Sequence, residues 1–205
     1  MPIAIRPYRA SDLEALYEIC LKTGDSGRDA TALYRDPRII GHVYAGPYGV
    51  LEPQTCFVAE DEAGVGGYII GTADTHGFET RLAAEWWPAL RARHADPGAP
   101  RPDFTPDARM AHLIHHPPRT PRRVNQPYPA HLHIDLLPRL QGRGLGRRMI
   151  DAFRAHLAGL GVQALHLGVG PRNARGVRFY RAYGFHVIEQ LPPPWETLWF
   201  GISTF

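Results

Sequence analysis

Cysteine is scarce in this sequence of 205 residues, which contains only Cys20 and Cys56. Both lie in apolar surroundings and no Cys-x-x-Cys pair occurs, so we expect two reduced core thiols rather than a disulfide or a cysteine metal site. Long apolar runs are also missing, because no stretch approaches the ~20 residues that a membrane-spanning helix requires. Residues 1–6 turn polar at once, unlike a secretory signal. These absences predict a cytoplasmic protein with no membrane partner.

A concentrated basic surface is absent as well. The formal net charge is only +3, although the sequence pI is about 9.0. A nucleic-acid-binding protein would normally cluster its basic residues on one face, interleaved with aromatic residues. Here the densest arginine group surrounds a glycine-rich turn and consists of Arg139, Arg143, Arg147 and Arg148. We therefore expect a phosphate-bearing small molecule as the anionic partner, and no nucleic acid.

Hydrophobic periodicity divides most of the chain into short strands and amphipathic helices. Strands are predicted over residues 3–8, 56–60, 67–72, 131–137, 164–169, 185–190 and 197–203. Helices are predicted from residue 13, near 29–34, over 147–160 and over 173–183. The turn residues between the second and third strands favour an antiparallel hairpin. This pattern indicates an α/β (α+β) protein.

The regular pattern is lost between residues 75 and 128, where proline, arginine and histidine are frequent. Only one helical stretch, over 80–94, is predicted in this region. A structureless loop of this length is unusual in a compact domain. We therefore interpret residues 1–205 as a single domain that carries an insertion over about 75–128.

The feature most typical of a ligand site is a glycine-rich turn between a strand and a helix. It consists of Gln141, Gly142, Arg143, Gly144, Leu145 and Gly146. Glycine allows the backbone to pass close to a ligand, and the free amides and dipole of the following helix attract an anion. Arg143 and Arg147 add positive charge. A diphosphate is the ligand that suits such a turn, and a tight strand–helix connection without a ligand is the alternative interpretation. The glycine spacing fits neither a Rossmann nor a Walker motif.

A second segment, starting at Asn173 about 30 residues after the turn, strengthens the ligand interpretation. It contains Phe179-Tyr180 and ends in Gly184-Phe185. The glycine-rich turn followed by this Asn…Phe-Tyr-x-x-x-Gly-Phe segment resembles the pyrophosphate loop and the following motif of the GNAT acetyltransferases. The opening stretch over residues 5–12 is similar too, so the resemblance covers nearly the whole chain outside the insertion.

Residues 56–74 and the tryptophan-containing helix after them are similar to a narrower group, the acetyltransferase-like C-terminal domains of eukaryotic O-GlcNAcases. The glycine-rich turn is poorly kept in those domains and intact in this chain. The comparison therefore favours cofactor binding more strongly here than in those relatives.

The resemblance implies a GNAT fold, with a mixed central sheet of about seven strands flanked by helices, and acetyl-CoA as cosubstrate. It implies that the backbone at Leu136 and Leu137 splays from the neighbouring strand, pairs with the pantetheine arm and polarises the thioester carbonyl. Tyr180 matches the position that often protonates the sulfur of coenzyme A, the alternative being a core aromatic. Asn173 is expected both to cap its helix and to contact the cofactor.

The general base is less clearly indicated. Asp135 interrupts an otherwise apolar strand, and a buried carboxylate is costly unless it is paired or used. Two roles remain open for Asp135: it acts in catalysis, or it forms a structural hydrogen bond with His133 or with a backbone amide. Asp74, at the end of an earlier strand, is a second candidate.

Histidines raise the question of a metal. His112, His115 and His116 lie in the insertion, and His131 and His133 would share one face of a strand. No cysteine or carboxylate near these histidines in the sequence completes a ligand set, so we expect no metal.

The expected function is an acetyl-CoA-dependent N-acetyltransferase in which an amine attacks the thioester directly. The alternative is an inactive module of the same fold that binds acetyl-CoA or a peptide. The acceptor, a small molecule or a protein, is not specified by the sequence, and a homodimer is compatible with the family. The turn over 24–28 is a candidate rim for the acceptor, and Trp86 and Trp87 could form an acceptor wall, a peptide groove or core.

Overall fold

One sheet of seven strands organises the molecule. The computed structural model describes residues 3–191 and 196–205. The strands are β1 (Ala4–Pro7), β2 (Phe57–Asp61), β3 (Gly64–Thr72), β4 (Ala130–Leu136), β5 (Ala164–Val169), β6 (His186–Gln190) and β7 (Leu198–Ser203). Their spatial order is β1-β2-β3-β4-β5-β7-β6, and every neighbouring pair is antiparallel except β4 and β5. The predicted mixed sheet of about seven strands is confirmed.

Helices cover both faces of this sheet. They are α1 (Leu13–Thr23), α2 (Ile39–Tyr44), α3 (Gly46–Leu51), α4 (Thr75–Arg81), α5 (Trp87–Arg91), α6 (Pro106–His115), α7 (Arg122–Asn125), α8 (Leu145–Gly159) and α9 (Ala174–Tyr183). Across the two described ranges, no helix combines the length and apolar character needed to cross a bilayer.

Two hydrophobic cores form because neighbouring residues of a strand point to opposite faces of the sheet. Tyr68 and Ile70 of β3 pack against α1 and the insertion, whereas Ile69 between them packs toward α8. The α8 side of the sheet is closed by Met149, Ile150 and other fully buried residues of that helix. The strand β3 therefore lies between the two cores.

The prediction of a helix near 29–34 was wrong, since that stretch holds only a 3-10 turn, Thr31–Leu33. The α-helices that follow, α2 and α3, contain glycines, which have a low helix propensity. These glycines instead allow a close approach: a Cβ on Gly41 would lie 2.4 Å from the Tyr17 ring, and one on Gly46 would lie 2.3 Å from the Tyr17 hydroxyl oxygen. Tertiary packing thus outweighs the low helix propensity of glycine here.

The insertion is more helical than its sequence indicates. Its predicted helix begins at Thr75 and continues from α4 through a π-helical turn, Leu82–Trp86, into α5, while α6 and α7 were not predicted. Trp87 is buried in the same core as α1. The Trp86 indole Nε1 donates to the carbonyl of His42 at 2.9 Å. Of the three roles considered for Trp86 and Trp87, packing against the domain is the one that these contacts show.

Replacing Gly71 by alanine should destabilise the fold. A Cβ there would lie 2.0 Å from the His131 carbonyl oxygen and 2.7 Å from the Phe153 ring, so β3 would have to move away from β4. We expect the free energy of unfolding, measured with urea, to fall by about 1–3 kcal/mol or more, as overpacked cores show. Gly159→Ala is the matched control. A Cβ meets nothing within 4 Å there, and alanine in a helix is favoured by ~0.5–1 kcal/mol. Equal stability of Gly71→Ala and wild type would contradict the described packing of β3.

Candidate active site

The sheet opens between its two parallel strands. Strand β4 pairs with β5 only at Ala130 and His131, whereas it pairs with β3 as far as Leu136. One residue beyond the end of β4, the Leu137 amide donates to the carbonyl of Gly66 in β3 at 2.8 Å. Backbone groups alternate in direction along a strand, so the amide and carbonyl of Leu136 point to the open side. The predicted splay is present, but the Leu137 amide is engaged with the Gly66 carbonyl, so of the two predicted residues Leu136 is the one that presents its backbone to the opening.

A cleft of about 480 Å3 continues from this opening. Its walls are the end of β4, the glycine-rich turn, one side of α9 along its length and the end of α1. The predicted site residues that line it are Asp135, Leu136, Gln141, Gly142, Gly144, Gly146, Arg147, Asn173 and Tyr180. Among the other predicted residues, Arg143 is exposed and Leu145 is buried. Ser26 and Gly27 also line the cleft, so the turn over 24–28 forms part of its rim.

The glycine-rich turn leaves its amides free. Gly142 and Gly144 have φ angles of +73° and +69°, which glycine adopts without strain. A Cβ on either would meet nothing within 4 Å, so both face open space. Gly144 precedes α8, and within the described ranges no protein group accepts a hydrogen bond from the amides of residues 142–147. A row of free amides at a helix start attracts an anion.

The other residues around this turn are fixed by packing. A Cβ on Gly146 would lie 3.0 Å from the Phe179 ring, so glycine there permits α8 and α9 to pack closely. The Arg147 guanidinium lies 4.9 Å from the Tyr183 ring centroid and donates to the Ala182 carbonyl at 3.2 Å. Positive charge is therefore held at the margin of the cleft. The Gln141 side-chain amide donates to the Leu136 carbonyl at 2.6 Å, which ties the turn to the end of β4.

Asn173 caps α9 as predicted, because its Oδ1 accepts a hydrogen bond from the Gly176 amide at 2.9 Å. Tyr180 lies further along the same helix, with its ring 5.6 Å from that of Phe185 and 6.1 Å from that of Phe200. Burial raises the pKa of Tyr180 well above the usual value of a phenol. No residue in the described ranges takes a hydrogen bond from its hydroxyl. Tyr180 is thus a packed aromatic residue that also brings a protonated hydroxyl to the cleft.

Asp135 lies on the cleft and is partly buried. Its Oδ2 accepts a hydrogen bond from the Tyr68 hydroxyl at 2.6 Å, and Tyr68 is fully buried. Burial raises the pKa of Asp135 to about 6, while hydrogen bonds from Tyr68 and Thr23 act in the opposite direction. The predicted alternative, a bond to His133 or to a backbone amide, is not the one found. A carboxyl with a pKa of about 6 can exchange protons near neutral pH.

Tyr68 was missed in the sequence because it carries no motif. It lies directly across from Asp135 in the register between β3 and β4. That register could not be read from the sequence, since the insertion separates the two strands. The only available signal was a tyrosine in an otherwise aliphatic and glycine-rich strand.

The second candidate base lies elsewhere. Asp74 caps α4 by accepting a hydrogen bond from the Gly77 amide at 3.1 Å. It lines a separate cleft of about 500 Å3 together with His76, Arg122 and Asn125. That cleft contains neither Tyr180 nor the glycine-rich turn, so the structure does not bring Asp74 into the candidate active site.

His131 and His133 share one face of β4, as predicted, but bind hydroxyl groups. The Tyr48 hydroxyl lies 2.7 Å from His131 Nε2 and 3.1 Å from His133 Nε2. Thr75 Oγ1 lies 2.7 Å from the other ring nitrogen of His131. Burial lowers the pKa of His133 to about 4 and that of His131 well below its usual value. Both rings are therefore neutral members of a buried hydrogen-bond network.

A sheet opened between parallel strands, a turn with free amides and two titratable groups thus lie on one cleft. The chain belongs to the acetyltransferase (GNAT) family, whose model matches residues 6–185. It is an acyltransferase of this family, and the predicted family, fold and enzyme class are confirmed.

Two relatives extend over most of the chain. The crystal structure of SsHAT is similar with a TM-score of 0.90 and 41% identity, covering 100% of both chains. Protein O-GlcNAcase of Rattus norvegicus is 24% identical over 187 residues, which is 91% of this chain and 20% of that protein. The chain thus spans about a fifth of the O-GlcNAcase, and the predicted similarity to that group is confirmed.

Two further comparisons are narrower. Mycothiol acetyltransferase of Propionibacterium freudenreichii is 41% identical over 52 residues, 25% of this chain and 17% of that protein. The structure of yncA, a putative acetyltransferase from Salmonella typhimurium with its cofactor acetyl-CoA, has a TM-score of 0.56 and 15% identity, covering 99% of this chain and 94% of that one. The second comparison shows a shared fold.

Removing the Tyr68 hydroxyl should raise the pKa of Asp135. In Tyr68→Phe the carboxylate loses a hydrogen bond that favours its charged form. Hydrogen bonds to charged groups contribute about 1.5–3 kcal/mol, so we expect a rise of about one unit or more. Titration of the Asp135 carboxyl carbon by NMR measures it. Tyr34→Phe removes a hydroxyl from the same core without touching Asp135 and should leave its pKa unchanged. An unchanged or lower pKa in Tyr68→Phe would contradict the assigned hydrogen bond.

Proposed function

We propose that this chain binds acetyl-CoA and transfers its acetyl group to an amine by direct attack on the thioester. The observation that carries the proposal is the outward-facing backbone of β4 at Leu136, whose amide is free and which leads directly to the free amides of residues 142–147. An extended ligand with a diphosphate fits these two features at once. Asp135 and Tyr180 line the same cleft, where the reactive end of such a ligand would lie.

The diphosphate binds the amides of the glycine-rich turn, including those of Leu145 and Gly146, with Arg147 and the exposed Arg143 supplying charge. The pantetheine arm pairs with the outward backbone of Leu136, and Asn173 contacts the cofactor from the start of α9. Leu137 acts indirectly, because its amide fixes the end of β4 to β3. Gln141 holds the turn and the strand end together.

The chemistry requires a neutral amine and a stabilised leaving group. The amine nitrogen forms a bond to the thioester carbon and loses a proton to Asp135 while the carbon–sulfur bond breaks. The Leu136 amide is placed to donate to the carbonyl oxygen as negative charge develops on it. Tyr180 donates its proton to the departing thiolate. Burial raises the pKa of Tyr180, so the phenol keeps its proton until the thiolate departs.

The glycine-rich turn can be tested with a matched pair of variants. Gly144 and Gly161 both have positive φ angles and open space around the missing Cβ, but only Gly144 lines the cleft. Leucine should strain the backbone similarly at both positions. By calorimetry, we expect acetyl-CoA to bind wild type saturably, Gly144→Leu at least about tenfold more weakly and Gly161→Leu with unchanged affinity. No binding by wild type at millimolar acetyl-CoA, or equal loss in both variants, would contradict cofactor binding at the turn.

Tyr180→Phe should separate turnover from binding. Loss of the proton donor is expected to lower the rate by about 10²-fold, because general acid–base catalysis contributes ~10²–10⁴-fold, while acetyl-CoA affinity is retained. The rate is measured as coenzyme A release with a panel of primary amines. Tyr128→Phe, outside the cleft, is the control. Binding of acetyl-CoA without turnover by wild type across the whole panel would favour the inactive module of the same fold.

Asp135→Asn should remove a pH dependence. The base accepts a proton only when ionised, so the wild-type rate should rise as pH increases through about 6, which is the pKa of Asp135. The variant should be slower and lack this rise between pH 5 and 7. The pH profile of kcat/KM for a reactive amine from the panel measures both. An unchanged profile in Asp135→Asn would assign the base to another group.

A further inference from the structure

A separate group of metal-ligand side chains lies in the insertion. His112 and His116 are one helical turn apart at the end of α6, and Asp96 reaches them from the segment between α5 and α6. One potential ligand atom from each of the three side chains lies within 4.8 Å of the others. None of the three lines the active-site cleft. The sequence analysis considered only carboxylates close to the histidines along the chain. It therefore missed Asp96, which comes well before them.

The side chains are already oriented by hydrogen bonds. His112 is buried, and its Nδ1 donates to the Gly98 carbonyl at 3.0 Å, which fixes the tautomer with the lone pair on Nε2. Asp96 Oδ1 accepts a hydrogen bond from the Gly98 amide at 2.9 Å. Metal-binding histidines commonly donate their second ring nitrogen to a carbonyl in this way. The arrangement of His112 and Asp96 around Gly98 therefore has the outer contacts of a metal site.

His116 completes the set from the exposed side. Its Nε2 lies 3.0 and 2.9 Å from the two carboxylate oxygens of Asp96. The neighbouring His115 is oriented too, since its Nε2 donates to the His94 carbonyl at 2.7 Å, and its Nδ1 lies 4.0 Å from Asp96 Oδ2. Bonds of about 2.0–2.1 Å to a tetrahedral zinc ion place ligand atoms about 3.3 Å apart. The three ligand atoms lie within 4.8 Å of one another, so the side chains approach more closely when an ion binds.

We propose that Asp96, His112 and His116 form a binding site for a zinc-type divalent cation. Two imidazoles and one carboxylate are ligands that suit zinc, and the carboxylate offsets part of the charge of the ion. Because His116 and Asp96 are half exposed, solvent completes the coordination. A bound ion fastens residues 92–105, which contain no helix or strand, to α6. The exposed His116–Asp96 ion pair by itself would contribute little to that attachment.

The test uses the whole chain without a histidine tag, after treatment with a chelator. Titration with ZnCl₂ by calorimetry should show one ion bound per chain. Affinity should fall at least tenfold in His116→Ala and in Asp96→Asn, since loss of outer contacts alone costs about 10–100-fold. His76→Ala removes an exposed histidine outside the set and is expected to bind zinc like wild type. Both test positions are partly exposed, so the variants should fold.

Two further measurements distinguish a metal site from an ion pair only. Zinc should raise the melting temperature of wild type and of His76→Ala but not of His116→Ala. Cobalt(II), used in place of zinc, should give a visible absorption spectrum with wild type that is lost in Asp96→Asn. Absence of stoichiometric zinc binding, or equal binding by wild type and His116→Ala, would overturn the proposal and leave an ion pair only. Neither result depends on whether the chain binds acetyl-CoA.

Discussion

The divergence of β4 from β5 is the constraint on which the rest of the site depends. Strand backbone groups are obligatory hydrogen-bonding groups, and a strand that leaves its neighbour exposes them to water or to a ligand. Here the Leu136 amide is such a group, whereas the amide of Leu137 is held by β3. The glycine-rich turn follows within a few residues, and Gln141 bonds back to the Leu136 carbonyl. A peptide-like arm and a diphosphate therefore find adjacent binding surfaces on one short segment of chain.

Burial explains the pKa values of the two titratable groups on the cleft. The same burial raises the pKa of Asp135 to about 6 and that of Tyr180 well above the usual phenol value. These opposite protonation states suit a base and an acid that act in one reaction, since Asp135 can ionise near neutral pH while Tyr180 keeps its proton. Tyr68 moderates the shift of Asp135 by donating a hydrogen bond from the core. Tyr68 thus belongs to the packing of the domain and to the tuning of the candidate base.

What could be predicted from the sequence was local. The turn at Gly142–Gly144 and the Asn173 cap are recognisable because backbone conformation and capping depend on a few consecutive residues. The contacts that could not be predicted, such as Tyr68 with Asp135 or Asp96 with His116, join residues that are distant along the chain. Asp74 was a plausible base from its strand-end position, yet helix α4 turns it toward another cleft. Strand register and helix direction, rather than residue type, decide these cases.

The central claim is that coenzyme A binds at the opened edge of β4 and at the glycine-rich turn. The most direct measurement is an amide NMR titration of the labelled protein with coenzyme A. Binding as described predicts saturable shifts of the Leu136 amide and of the amides of residues 142–147, with little change in β1 or in α6. Shifts confined to the cleft around Asp74 and His76, or no saturable shift at Leu136 and the turn, would contradict it.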